Sequence, residues 1–359
     1  MTKKLWFQVG VAILLTLVII RMVVEVQAIF NPFFVILRTV FLPLLIGGVL
    51  FYLTRPLVKL LERKKVPRWG SISIVVILLL AVIVGFTSIV GPVLTNQVNA
   101  LVKNGPVIIK EIESMTDYVL DQRDRLPESM QDSIQDAVGR ANEFAVSGGT
   151  LLINFFQGLF QGIFMLVLVP FFLIYMLKDH EKLAPFVAKF FKGERKTWIR
   201  KTLADIDETL KTYIQGQLLV SFLVGVMLLI GYMIIGLKYP LLLALFGMLT
   251  NVIPFLGPYL AVIPAMIIAF TQEPIMALWV ALVMLVAQQI ESNLITPNVM
   301  GKSLDIHPLT VITIILSAGS LAGLWGIILA IPAYAVVKSI LRNIYAYREE
   351  IRDTANKDV

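Results

Sequence analysis

The sequence is poor in the residues that carry enzyme and metal chemistry. It has no cysteine, which excludes disulfide bonds and thiol catalysis. Only two histidines are present, His180 and His307, so a metal site built from histidines is not expected. The phosphate-binding motif G-x-x-x-x-G-K-S/T is absent, as are G-x-S-x-G, H-E-x-x-H and C-x-x-C. We therefore predict neither an enzyme nor an ATP-driven pump, and no cofactor.

Charged residues are also scarce, while apolar residues are abundant. Only 15% of the 359 residues are charged, 58% are hydrophobic and the mean hydropathy is +0.84. Several apolar runs approach or exceed the roughly 20 residues needed to cross the hydrocarbon core of a bilayer. We predict an all-α polytopic membrane protein. The net charge of +7 does not indicate nucleic acid binding, because the basic residues lie mainly beside apolar runs, where they report topology.

The first 94 residues predict three membrane helices. The first apolar run follows Lys3 and Lys4 as in a signal peptide, but no small-residue cleavage site comes after it, so we interpret it as a retained helix. Residues 54–70 carry six Lys or Arg against one Glu, which predicts that this loop and the N-terminus are cytoplasmic. The three helices are predicted at residues 5–28, 33–53 and 71–94.

The next segment, residues 95–149, differs in its charge. It has five Lys or Arg against nine Asp or Glu, which is typical of the external side. Part of it is amphipathic, with one helical face formed by Ile108, Ile112, Met115 and Val119. We predict a small external helical region that lies on the bilayer, caps the bundle or simply connects two helices.

A fourth membrane helix is predicted at residues 150–177. A polar stripe recurs in it at helical spacing, formed by Asn154, Gln157 and Gln161. Such a stripe suits either a pore wall or hydrogen bonds between helices.

Residues 178–213 predict a basic cytoplasmic helical segment. It begins with a compact titratable trio, Asp179, His180 and Glu181. No nucleophile lies near the trio in the sequence, and we interpret it as part of a loop at the membrane surface.

Residues 214–340 predict a C-terminal transmembrane core with broken helices, followed by a cytoplasmic tail at 341–359. Two apolar elements, residues 241–270 and 309–340, are long for single straight helices. If both cross the membrane, the chain makes eight crossings, which we favour. If both are re-entrant hairpins, it makes six. Both counts place the two termini in the cytoplasm.

The stretch from Asn251 to residue 270 is the one around which the rest of the chain is organised. It is apolar, yet it contains a cluster of helix-breaking residues, Pro254, Gly257, Pro258 and Pro264. Proline removes a backbone donor and clashes with the preceding turn, so the helix is predicted to break near its middle. In hydrocarbon, broken backbone is tolerated only when buried in protein or lining a wet cavity, and transporters place such breaks at substrate sites. The alternative is a kinked packing helix.

A second polar cluster follows at the end of the next helix. Five of six consecutive residues are polar: Gln288, Gln289, Glu291, Ser292 and Asn293. Residues four apart share a helix face, so Glu291 can point inward while its neighbours bond to other helices. A carboxylate among amides, joined by Asn251, suits a cation or proton site. The alternative is a helix end in the headgroup layer.

Five stretches of the sequence resemble the AI-2E family of bacterial permeases. They are YMLKDHEKL from Tyr175, TLKTYIQGQLLVSFLVG from Thr209, NVIPFLGPYLAVIPA from Asn251, QQIESNLITPNVMGKSLDIHPL from Gln288 and LAIPAYAVVKSIL from Leu329. The resemblance implies a bacterial inner-membrane transporter of about eight helices that forms a homo-oligomer, such as a pentamer. It also implies either export of the quorum-sensing furanone autoinducer-2 or exchange of Na⁺ or Li⁺ for H⁺.

Three functions stay open at the level of sequence. The favoured one is export of a small polar solute, such as autoinducer-2, through a neutral and amide-rich cavity. The second is Na⁺(Li⁺)/H⁺ antiport with Glu291 as the titrating group. The third is a structural or assembly protein in which the external helices carry the function. The expected partners are membrane lipid and the transported solute or ions.

Overall fold

The computed structural model describes residues 4–25, 27–121, 168–301 and 306–357, and every regular element in these ranges is helical. This confirms the predicted all-α fold class. The elements are α1 Leu5–Glu25, α2 Gln27–Arg63, α3 Arg68–Asp121, α4 Val169–Ala188, α5 Glu194–Ile234, α6 Pro240–Thr250, α7 Leu256–Gln272, α8 Pro274–Ile290, a π-helical turn Glu291–Ile295, α9 Thr296–Met300 and α10 Pro308–Lys357.

The described part of the chain contains five helical stretches that are long and apolar enough to cross a membrane. Their outer faces carry large apolar side chains, for example Ile77, Val84 and Ile89 of α3, which are 62–76% exposed. An apolar surface of this extent is unstable in water and is covered by lipid or by another protein. The chain is therefore a multi-pass membrane protein.

Several predicted boundaries fall inside continuous helices. α3 runs for 54 residues, about 81 Å, across the boundary predicted between residues 94 and 95. α4 and α5 likewise run through residues 177 and 213. No glycine or proline interrupts the chain at either place. The prediction that Asp179, His180 and Glu181 lie in a loop is therefore wrong, because they belong to the last turns of α4.

The N-terminal bundle has its own small core. α2, the first turns of α3, and α4 bury Phe51, Val58, Ile72, Leu173 and Leu177 against one another. At the end of the bundle that carries Arg55 and Arg68, polar contacts tie it to α5.

Asp207 of α5 forms polar contacts with Arg55 and Tyr52 of α2. The Arg55 guanidinium lies 2.7 Å from one oxygen of the Asp207 carboxylate, and the Tyr52 hydroxyl donates to the other at 3.2 Å. Gln215, two turns further along α5, donates to the Tyr52 carbonyl at 2.6 Å. The interface between the N-terminal bundle and α5 therefore contains directional polar contacts at this end.

α8 and α9 run antiparallel to α5. Gly231 of α5 faces Val283 of α8, and Gly216 of α5 faces Met300 of α9, so residue numbers rise along one element as they fall along the other. The π-helical turn between α8 and α9 consequently lies beside the middle of α5.

The element predicted at 241–270 is a helical hairpin, which we call hairpin 1. Its legs are α6, about 16 Å long, and α7, about 26 Å long. The legs are antiparallel: Gly247 packs on Ala261, and Gly257 packs on the backbone of Thr250. Neither leg matches the roughly 30 Å of bilayer hydrocarbon.

α10 is also folded back on itself, and we call it hairpin 2. Ala322 and Gly323 leave the helical conformation, and Gly323 has φ +59°, a value that favours glycine. Residues on the two sides of this point touch, since a Cβ atom at Gly326 would overlap the carbonyl oxygen of Ala318. In a straight helix these residues would be about 12 Å apart. Both long elements therefore reverse direction, which supports the six-crossing alternative over the eight crossings that we favoured.

The titratable trio at the end of α4 is held by ion pairs and burial. The Arg68 guanidinium, 2.7 Å from Glu181, holds the pKa of that carboxyl below its usual value. Lys182 likewise lowers the pKa of Asp179. Burial lowers the pKa of His180 below its ordinary value of 6.5, and the charge of Arg55 lowers it further.

Replacing Gly326 by Ala tests hairpin 2. The new methyl group would meet the Ala318 carbonyl, so the legs must separate, and we expect a loss of about 1–3 kcal/mol in the free energy of unfolding. Gly85→Ala is the control, because Gly85 lies in α3 with open space around it. Thermal unfolding of purified protein measures both variants. Equal melting temperatures for Gly326→Ala and wild type would contradict the hairpin.

The stability of the end of the N-terminal bundle that carries Arg55 and Arg68 is expected to depend on His180. Because its pKa is lower in the folded protein, the unfolded chain takes up the proton first, so stability is full above about pH 6.5 and declines as the pH falls below it. Melting temperatures at pH 7.5 and 5.0 measure the decline. His180→Asn is expected to reduce it. An unchanged decline in His180→Asn would contradict this account.

Candidate functional site

The tip of hairpin 1 is the predicted break in the helix. α6 ends at Thr250, α7 begins at Leu256, and residues 251–255 between them are not helical. Phe255 has φ +63°, which is unusual for a residue with a side chain. Asn251 is the first residue of the break and is only 2% exposed. The start of the break is thus buried in protein, whereas Phe255 at its end is 48% exposed.

The helix-breaking residues have separate roles. Pro254 lies within the break, and Pro258 occupies the first turn of α7, where no intrahelical hydrogen bond is lost. Gly257 permits the close approach of the legs, since a Cβ atom there would overlap the Thr250 carbonyl and lie 2.6 Å from the Asn251 Cα. Pro264 is buried inside α7, which continues past it. Three of the four residues therefore shape the tip, and Pro264 does not.

Gln217 of α5 satisfies the carbonyl that the break leaves free. Its side-chain amide donates to the Asn251 oxygen at 2.7 Å, and both residues are buried. The sequence interpretation missed Gln217, although an amide inside the apolar run of the fifth predicted span was a usable signal. The Asn251 side-chain nitrogen is buried as well and has no hydrogen-bond partner in the described part of the chain. It is a buried hydrogen-bond donor that a ligand could satisfy.

Glu291 faces this break from the π-helical turn. Its carboxylate accepts a hydrogen bond from the Gln288 amide at 2.9 Å and is within interaction range of the Asn251 side chain. Among the described residues, none of the ion pairs involves Glu291. A π-helical turn widens the helix locally, and such turns are frequent at functional sites. Asn251, Gln288 and Glu291 therefore form one polar group beside Gln217.

The rest of the predicted polar cluster points elsewhere. Gln289 and Asn293 are exposed on the outer face and bond to each other at 2.8 Å. The Ser292 hydroxyl donates back to the Gln288 carbonyl at 2.8 Å. The structure thus brings Gln288 and Glu291 to the break and leaves Gln289 and Asn293 away from it.

Two further predictions concern other parts of the chain. The polar stripe of Asn154, Gln157 and Gln161 lies outside the described residues. Within the described ranges, no group of three or more Asp, Glu or His is placed to hold a metal ion.

A buried break between short helical legs, facing a carboxylate and amides in a multi-pass bundle, has the form of a transporter site. The chain matches the AI-2E family transporter model over residues 11–346, and it belongs to that family.

Sequence relatives are named as transport proteins or permeases of the same kind. The chain is 37% identical to a candidate transport protein of Bacillus subtilis, YueF, over 92% of its length and 91% of the relative. It is 32% identical to a second one, YrrI, over 96% and 97%. A candidate permease of Escherichia coli, PerM, is 27% identical over 83% and 86%. The chain therefore belongs to the class of membrane transport proteins.

Replacing Gln217 by Leu tests the packing of the break. The Asn251 carbonyl would stay buried without a partner, which costs about 1–3 kcal/mol. We expect a lower melting temperature than wild type. Gln289→Leu is the matched control on the exposed face and is expected to melt like wild type. Equal melting temperatures for the two variants would show that the carbonyl finds another partner.

Proposed function

We propose that this protein exports a small polar organic solute, such as autoinducer-2, through a site at the tip of hairpin 1. The observation that carries the proposal is the buried Asn251 amide, whose nitrogen makes no hydrogen bond by geometry among the described residues. It lies within interaction range of the Glu291 carboxylate, which is itself bonded to Gln288. An unpaired donor costs free energy in the absence of a ligand, and a solute hydroxyl or carbonyl would satisfy it.

The chemistry of the group favours a neutral solute with several oxygen atoms. Amides both donate and accept hydrogen bonds, so Asn251 and Gln288 can bind hydroxyl groups in either sense. The single carboxylate can accept one more. The buried apolar residues around hairpin 1, such as Ala261 and Ala265, give the site a low-dielectric surrounding in which these bonds are stronger.

A second candidate is Na⁺(Li⁺)/H⁺ antiport, and the orientation of Glu291 favours it. This carboxylate is turned toward the break rather than toward the outer face. Carboxylate and amide oxygens are suitable ligands for a hard cation, and a carboxylate can carry a proton in exchange. The group offers few such oxygens, since the described residues place only one acidic side chain at the break. We therefore rank antiport second.

We further propose that the chain lies in the bacterial inner membrane with both termini in the cytoplasm. Lys178 lies 4.7 Å from the ring of Trp69 and 5.9 Å from that of Tyr175, an aromatic and basic combination typical of a membrane interface. Arg55 and Arg68 belong to the same end. We also propose a homo-oligomer, such as a pentamer, because α8 carries large exposed apolar side chains, for example Leu282 and Leu285, that are available to pack against a second copy.

Two assays on purified protein in liposomes separate the candidates. In the first, efflux of labelled furanone is measured. We expect Asn251→Ala to reduce the rate at least tenfold, Glu291→Gln to retain most of it, and the control Gln289→Ala to match wild type. A melting temperature near that of wild type is required of each variant.

In the second assay, Na⁺ or Li⁺ is added to liposomes that hold a pH gradient and an internal pH dye. Solute export predicts that the gradient holds in wild type and in Glu291→Gln. Collapse of the gradient in wild type but not in Glu291→Gln would make the protein an antiporter and contradict the first proposal.

A further inference from the structure

We propose that the outer part of α3, through Gln97 and Asn104, positions hairpin 1 and thereby the break at 251–255. The expected effect on transport rests on the proposed function. The positioning of hairpin 1 by α3 does not depend on which solute is carried. It concerns the base of hairpin 1, at the opposite end of α6 from Asn251.

The first observation is a helix cap supplied from another helix. α6 begins at Pro240, and its N-cap residue Tyr239 makes no side-chain cap. The amide N–H of Leu242 therefore has no partner within α6. It donates to the Gln97 side-chain oxygen of α3 at 2.9 Å, across 145 residues of sequence.

The second observation is a contact two turns further along α3. The Asn104 amide donates to the Tyr239 hydroxyl at 2.9 Å. Tyr239 has φ +58°, so the chain there is held in a left-handed conformation at the turn that starts hairpin 1. α3 thus binds both the first turn of α6 and the residue before it.

The third observation is that these contacts flank a buried apolar face. Leu101 lies between Gln97 and Asn104 and is buried in the core that α5, α6, α7 and α8 share. Leu94 and Val98 pack against the same core. Residues 94, 97, 98, 101 and 104 follow helical spacing, so one face of α3 carries the whole interface.

The fourth observation closes the base of hairpin 1. Gln272, the last residue of α7, accepts from the Lys238 amide and donates to the Gly236 carbonyl, both at 2.9 Å. The two legs are therefore joined at the turn that α3 holds. α6 has only 11 residues, and a short helix moves as a rigid rod, so a shift at Leu242 is carried to Asn251.

Hydrogen–deuterium exchange of the full protein in nanodiscs tests this arrangement. Gln97→Ala removes the cap, and we expect roughly fivefold faster exchange in the first turn of α6, in keeping with the loss of one helix cap. We also expect faster exchange at 251–255. Gln97→Glu keeps an acceptor oxygen and is expected to restore slow exchange. Asn96→Ala, on the exposed face of the same turn, is the control.

The outcomes are distinguishable. Faster exchange in the first turn of α6 alone, with an unchanged break, would make Gln97 a local cap and overturn the proposal. No change at either place would overturn it as well. In furanone efflux, Gln97→Ala is expected to raise the half-saturation concentration several-fold, with Gln97→Glu close to wild type. If wild type moves no furanone, the proposed function fails, while the exchange result still decides the role of α3.

Discussion

The structure depends on the close contact between Gly257 and the backbone of Thr250 and Asn251. It lets the chain reverse inside apolar surroundings without a long polar loop. A reversal leaves backbone groups without helical partners, which is costly in hydrocarbon. Gln217 satisfies the carbonyl that the reversal frees. The close approach and the compensating hydrogen bond together hold Asn251, at the tip of hairpin 1, as a buried polar residue beside the middle of α5.

The two hairpins relate this tip to the rest of the bundle. Hairpin 1 has its base at the C-terminal end of α5, whereas the outgoing leg of hairpin 2 bonds to the N-terminal part of α5 through Asn343 and Asp205 at 2.9 Å. Ile253, at the tip of hairpin 1, packs with Tyr213 and hairpin 2 in one core. Asn251 and Ile253 are therefore buried between elements that enter from opposite ends of α5.

Local chemistry explains what the sequence could and could not predict. Pro254, Gly257 and Pro258 act on their own backbone, so the break at 251–255 was predictable. The reversal of hairpin 2 was predicted only as the alternative to a full crossing, because it depends on the contact of Gly326 with Ala318, which only tertiary packing reveals. The role of Gln217 depends on a partner 34 residues away. The π-helical turn then decides that Glu291 faces inward and that Asn293 does not.

The most direct test of the account is whether solute protects the tip of hairpin 1. The chain has no cysteine, so single cysteines can be placed at positions 244–262 and their labelling by a hydrophilic maleimide measured in membranes. Gly247 and Gly257 are left out, because a Cβ atom there would clash with Leu228 and with the Thr250 carbonyl. The account predicts that labelling is greatest at 251–255 and that added furanone slows it there alone. Uniformly low labelling across these positions, or labelling that the solute does not alter, would contradict a substrate site at the break.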